Sequence, residues 1–281
     1  MTTERALVLG GGGVAGAAWI TGLLLGLREA GQDVTGADLV IGTSAGSTVA
    51  AQLASGLPLA DLYERQADPA RQPREISADI DFTEFGAAFG KFMDGATTPE
   101  EMLRAAGGFA LAAKTVPEAD RRAVIAGRLP SYDWPAWPLK ITAVDCESGE
   151  LAIFDADSGV SLVDAVTASC AVPGVWPPVT IGGRRYMDGG SRSMDNADLA
   201  AGAKRIMVVS PLGMNPEVPS PMPLGEVVAE LRRSGSDVTV ISPDEASAAA
   251  FGTNPLDPGT RTPAAEAGRA QGRAFRPAPR P

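Results

Sequence analysis

Leu39-Val40-Ile41-Gly42-Thr43-Ser44-Ala45-Gly46-Ser47 is the stretch on which the reading of this chain turns. Its three apolar residues suit a strand buried on both faces, and Gly42 ends the run. Residues 47–55 then carry a helical pattern that Gly56 closes. A G-x-S-x-G pattern thus stands between a strand and a helix. There Gly42 and Gly46 permit a tight turn that lifts Ser44 out of a sheet, and the helix N-terminus favours developing negative charge. An ordinary strand-to-helix turn, with Ser44 or Ser47 as its N-cap, fits the same residues.

Toward the N-terminus, Arg5–Leu9 is a short apolar run that ends in Gly10-Gly11-Gly12-Gly13. Residues 17–30 follow as a helix with Gly31 as its stop. The first 56 residues therefore alternate strand, helix, strand, helix, which predicts an α/β fold with a mostly parallel central sheet. Were the two strands neighbours, both loops would emerge at the same edge and set the glycine amides beside Ser44. Gly11-x-Gly13-x-x-Gly16 also fits a dinucleotide fingerprint, but that fold needs an acidic residue closing the second strand. Gly42-Thr43-Ser44 stands there instead, and Asp38 lies at the wrong end of the strand. The span 6–27 carries no charge and superficially suggests a leader or membrane segment, yet its four consecutive glycines would break a helix.

Toward the C-terminus, residues 58–130 lose strand character. Phe82, Phe85, Phe89 and Phe92 recur at helical spacing, which predicts one apolar helical face on the core, with a lid or acyl-chain surface as the functional alternative. Strands resume at 139–144 and 151–154 around the turn Glu147-Ser148-Gly149-Glu150. A helix at 162–169, a hairpin at 179–187 about Gly182-Gly183, strands at 205–209 and 238–241, and helices near 224–233 and 264–275 complete the reading.

Composition narrows the chemistry. The 281 residues include no histidine, which removes Ser-His-Asp and Cys-His mechanisms, most zinc sites and the usual neutral-pH proton shuttle. A formal charge of −10, with only isolated arginine pairs such as Arg121-Arg122, argues against a nucleic-acid partner. Cys146 and Cys170 read as buried thiols of a reducing compartment. A serine nucleophile without histidine needs another base, and the lysine of an S-x-x-K arrangement is missing because Ser47 holds its place. Asp188, at the end of a short strand and before Gly189-Gly190, is the natural carboxylate, although an Asp-Gly turn alone accounts for it too.

Four pieces in this order resemble the patatin-like phospholipases, a family of Ser-Asp lipid acyl hydrolases. They are Gly10 to Gly13 with Gly16, Gly42-Thr43-Ser44-Ala45-Gly46, the run Ala168-Ser169-Cys170-Ala171-Val172-Pro173 leading to Pro177-Pro178-Val179, and Asp188-Gly189-Gly190. The resemblance implies a three-layer α/β fold over 1–275, with 58–130 as a helical insertion or lid and 276–281 as a disordered tail. It also implies Ser44 as nucleophile, Asp188 as base, the backbone of Gly11, Gly12 and Gly13 as oxyanion hole, and a fatty-acyl ester substrate. No metal or cofactor is expected, location is expected to be cytoplasmic, and membrane contact is expected to be transient and at the surface. One position departs: members often carry Lys or Arg two residues after the glycine run, where this chain has Val14-Ala15.

Overall fold

The computed structural model describes residues 3–78, 82–214 and 220–276. Five parallel strands form the centre of one sheet: β1 (Arg5–Leu9), β2 (Leu39–Gly42), β3 (Leu139–Asp145), β7 (Arg205–Val209) and β8 (Asp237–Ile241). Three antiparallel strands extend it beside β3: β4 (Leu151–Phe154), β5 (Val179–Ile181) and β6 (Arg184–Asp188). The hydrogen-bonded order is β5-β6-β3-β2-β1-β7-β8, with β4 also on β3.

Alternate residues of the central strands enter two separate cores, which is what makes the fold three-layered. Leu7 and Leu9 of β1 pack with α1 (Gly13–Glu29), α2 (Ala45–Ala54), α3 (Leu59–Ala67), α7 (Leu162–Ser169) and α10 (Arg261–Ala274). Ala6 and Val8 pack on the other face, with α8 (Leu224–Arg233) and Ala197. Burial on both faces explains why these strands read as near-continuous apolar runs. The expected α/β class, the parallel pairing of β1 with β2 and the hairpin of β5 with β6 all stand in the structure. At that hairpin Gly182 and Gly183 both take positive φ, as a two-residue turn of this kind requires.

Register along β3 sets up the site. Ala143 pairs with Ala152 of β4 on one edge and with Asp188 of β6 on the other. Ile141 pairs with Phe154 of β4 on the first edge and with Gly42 of β2 on the second. β2 and β6 therefore lie end to end along the same edge of β3, and their C-termini converge at Thr142.

Three expectations need correction. The first helix begins at Gly13, not four residues later, because Gly13 takes a φ of 66° and closes the loop directly into the helix. α10 extends over Arg261–Ala274 and seats against α1 so closely that a Cβ on Gly22 or Gly26 would meet α10 backbone oxygens at 2.1 and 2.2 Å. In the insertion, α4 (Phe82–Met93) forms as the phenylalanine spacing predicts, but the described part of its face reaches the core only in part: Phe89 packs against the buried cluster of Leu103, Val144 and Met187, whereas Phe92 is 41% exposed. Both rings also contact Phe109 of α5 (Pro99–Ala112), at ring-centroid distances of 5.4 and 5.3 Å. The side chains of Phe82 and Phe85, and residues 277–281 of the expected tail, lie outside the described residues. The uncharged span 6–27 is a central strand and a buried helix, and among the described residues no helix is long and apolar enough to cross a membrane.

Candidate active site

At the end of β2 the chain turns sharply. Ser44 takes φ 52° and ψ −115°, a conformation that side-chain-bearing residues rarely adopt, and α2 begins at the next residue. The flanking glycines are required by contact. A Cβ on Gly42 would meet the Ser47 Cα at 2.6 Å, and one on Gly46 would meet the Leu9 carbonyl oxygen at 1.9 Å. Close packing of the turn against β1 thus selects glycine at both positions.

Convergence of β2 and β6 brings the serine to its partner. The Ser44 hydroxyl donates to Asp188 Oδ2 at 2.7 Å, and both residues are buried. The other oxygen, Asp188 Oδ1, accepts the Gly190 N–H at 2.7 Å. Residues 168–171, at the end of α7, tie the two strand ends together. The Ser44 N–H donates to the Ser169 hydroxyl at 2.9 Å, and the Asp188 N–H donates to the Ala171 carbonyl at 2.9 Å. A second tie comes from Asn196, itself left-handed at φ 49°, whose amide nitrogen lies 3.1 Å from Thr43 Oγ1 and 3.2 Å from the Gly189 carbonyl.

Burial decides the electrostatics of Asp188. It pushes the carboxyl up to about 7, against the opposing pull of the Ser44 hydroxyl, the Gly190 amide and the charge of Arg121. An ordinary aspartate is far too weak a base for a hydroxyl, whereas one near neutrality is matched to proton transfer. The sequence left these opposing effects unresolved; in the structure, burial outweighs the glycine amides.

The N-termini of α1 and α2 both open toward Ser44, and neither carries an acidic residue in its first turn. Their positive ends favour an anion there. Of the three glycines expected to offer amides, Gly11 lies beside Ser44, its notional Cβ 3.5 Å from the serine Cβ. Its N–H, however, is donated to the Met194 carbonyl at 2.8 Å, which removes it from the expected set of donors. Gly12 and Gly13 stand at the start of α1, where helix geometry supplies their N–H groups with no intrahelical acceptor.

Two groups of residues stand near the site that the sequence did not place there. Asp195, also pushed by burial up to about 7, accepts the Ser210 hydroxyl at 3.1 Å through Oδ2, and its Oδ1 sits against the Gly10 Cα. From the insertion, α6 (Glu118–Arg128) brings Arg121 and Arg128 into the cleft that holds Ser44, together with Gly13, Val14, Glu75 and Trp176. The Arg121-Arg122 pair was legible only as an isolated basic doublet; helical spacing between Arg121 and Arg128 is the one signal that would have set them on a common face. Cys146 and Cys170 are free and buried as expected, and the Cys170 thiol donates to the Ser44 carbonyl at 3.3 Å. Asp38, which the dinucleotide reading needed at the other edge, accepts the Glu4 and Arg5 amides instead.

Comparison with known proteins yields one family. The family model described as Patatin-like phospholipase matches residues 7–201. Among solved structures the chain is similar to VipD from Legionella pneumophila at 13% identity, with a TM-score of 0.47 and with 96% of this chain and 66% of that one covered. It is also similar to the type III effector protein ExoU at 17% identity, with a TM-score of 0.40 and coverage of 97% and 52%. A further match is ExoU from Pseudomonas aeruginosa in complex with SpcU, again at 17% identity, with 97% and 52% covered and a TM-score of 0.34. The chain spans just under two thirds of VipD and about half of ExoU. No curated protein sequence matches it.

Proposed function

The chain belongs to the patatin-like phospholipase family, and from that premise we propose that it hydrolyses fatty-acyl esters of lipids through a Ser44–Asp188 dyad. The observation that carries this reading is the 2.7 Å hydrogen bond from the Ser44 hydroxyl to a buried carboxylate, in a chain that contains no histidine. In the first step Asp188 takes the hydroxyl proton as Ser44 Oγ bonds to the ester carbonyl carbon. The tetrahedral oxyanion forms where the N-termini of α1 and α2 meet, and the amides of Gly12 and Gly13 donate to it. Collapse of the intermediate expels the alcohol, which receives the proton from Asp188. A water then gives its proton to Asp188 and attacks the acyl-enzyme, releasing the fatty acid and restoring Ser44.

The strained Ser44 backbone supports this role, because such strain persists where function needs a side chain held in one direction. Hydrolysis of p-nitrophenyl esters by wild type, Ser44→Ala and Asp188→Asn tests the proposal. Ser44→Ala should be inactive, and Asp188→Asn should lose roughly a hundredfold or more, the usual worth of a general base. Near-normal turnover by folded Asp188→Asn would reject Asp188 as the base.

A further inference from the structure

In a chain of formal charge −10, three guanidinium groups converge beside the nucleophile on one carboxylate, Glu75. Arg128 takes Glu75 in a bidentate pair at 2.8 and 2.7 Å, and Arg261 binds the Oε1 atom as well. Arg121 is left over. Its Nη1 stands 3.9 Å from Glu75 Oε2, beyond hydrogen-bonding distance. Its side chain is 4% exposed, and among the described residues neither Nε nor Nη1 has a hydrogen-bond partner.

The Arg121 guanidinium carbon lies 3.8 Å over the Trp176 ring. Stacking of this kind satisfies the face of the guanidinium while leaving its in-plane N–H groups for an acceptor. Arg121, Trp176 and Ser44 line the same cleft, which sets this guanidinium beside the reacting hydroxyl. A buried cation facing a second, already paired cation calls for an anion, and the guanidinium fork matches the oxygens of a phosphate. A fatty-acyl chain is apolar, so an anionic group bound at Arg121 belongs to the alcohol portion of the substrate.

We infer that Arg121, with Arg128 beside it, forms an anion subsite that takes the phosphate group of an acyl-ester lipid. The substrate side of this inference rests on the acyl-hydrolase reading; the binding side does not. Positive charge near the nucleophile thus comes from the helical insertion, in the same cleft that Val14 lines.

The test separates binding from turnover. Tryptophan fluorescence of Ser44→Ala is titrated with a short-chain 1-acylglycerol 3-phosphate, with the monoacylglycerol of the same acyl chain, and with inorganic phosphate as competitor. The phosphate-bearing lipid should bind at least tenfold more tightly, and inorganic phosphate should displace it. Adding Arg121→Gln should bring the two affinities together, and the same ratio should appear in kcat/KM for Arg121→Gln in an otherwise wild-type chain. Equal affinity for the two lipids overturns the inference, and does so even if Arg121→Gln fails to fold. Inorganic phosphate bound without any preference between the lipids also overturns it, since the site would then serve free phosphate. A merely electrostatic influence of Arg121 on Asp188 would shift the pH profile equally for both lipids and leave their ratio unchanged. Phosphate preference without any hydrolysis by wild type would sink the hydrolase reading while leaving the anion subsite standing.

Discussion

Lowering the pH from 8 to 5 should extinguish hydrolysis by protonating Asp188, whose carboxyl burial holds at about 7. For a single ionisation at that value, the basic form is about nine tenths of the enzyme at pH 8, about one tenth at pH 6 and about one hundredth at pH 5. kcat/KM should therefore fall about tenfold per pH unit on the acid side and level off above neutrality. The assay follows p-nitrophenyl ester cleavage at the isosbestic wavelength, with Ser44→Ala as blank. A flat profile from pH 5 to 8, or an inflection near the 3.8 of an ordinary aspartate, would refute the reasoning. Asp195 also titrates at about 7, so Asp195→Asn is the control and should keep the acid limb. Stability should move the opposite way. With the folded pKa above the unfolded one, the native state binds more protons through the window from about 4 to about 7. Each carboxyl's contribution is then complete at low pH and is lost as pH rises through about 7. Moving a carboxyl from its ordinary value to about 7 is worth up to about 4 kcal/mol. Urea denaturation should accordingly give a lower stability at pH 8 than at pH 5, where the proposed hydrolysis should be slowest.

Two substitutions probe the turn itself. Gly46→Ala forces a methyl to within 1.9 Å of the Leu9 carbonyl oxygen, and because that oxygen is backbone and cannot swing aside it should cost about 3 kcal/mol or more in a urea melt. Wild-type stability in that variant would show that the turn does not press on β1. Ser44→Gly and Ser44→Ala should both be inactive, but the glycine variant should be the more stable by about 1 kcal/mol, since it relieves the positive φ. The reverse order in thermal melts would argue that the turn relaxes once the hydroxyl is gone.

Much of the fold is legible in the sequence because its signals are local. Short apolar runs, the glycines that end them and helical spacing between them placed β1, β2, β3, β6, β7 and α7 close to where they form. The order of the four motifs and the lack of histidine pointed to Ser44 and Asp188 as the dyad proposed above. Nothing local, however, says that β2 and β6 meet end to end on one edge of β3. That arrangement joins residues 144 positions apart, and only the register of both strands against β3 creates it. The same holds for the Gly11 amide, which a backbone carbonyl from a distant loop withdraws from the cradle. It holds for Arg121, where α6, Glu75 and Trp176 turn a basic doublet into a buried cation. Sequence alone determined which groups are present and which elements carry them. Tertiary structure decided which groups meet and how dry the meeting place is, because hydrogen-bond partners and pKa values follow from distance and burial, which no local pattern encodes.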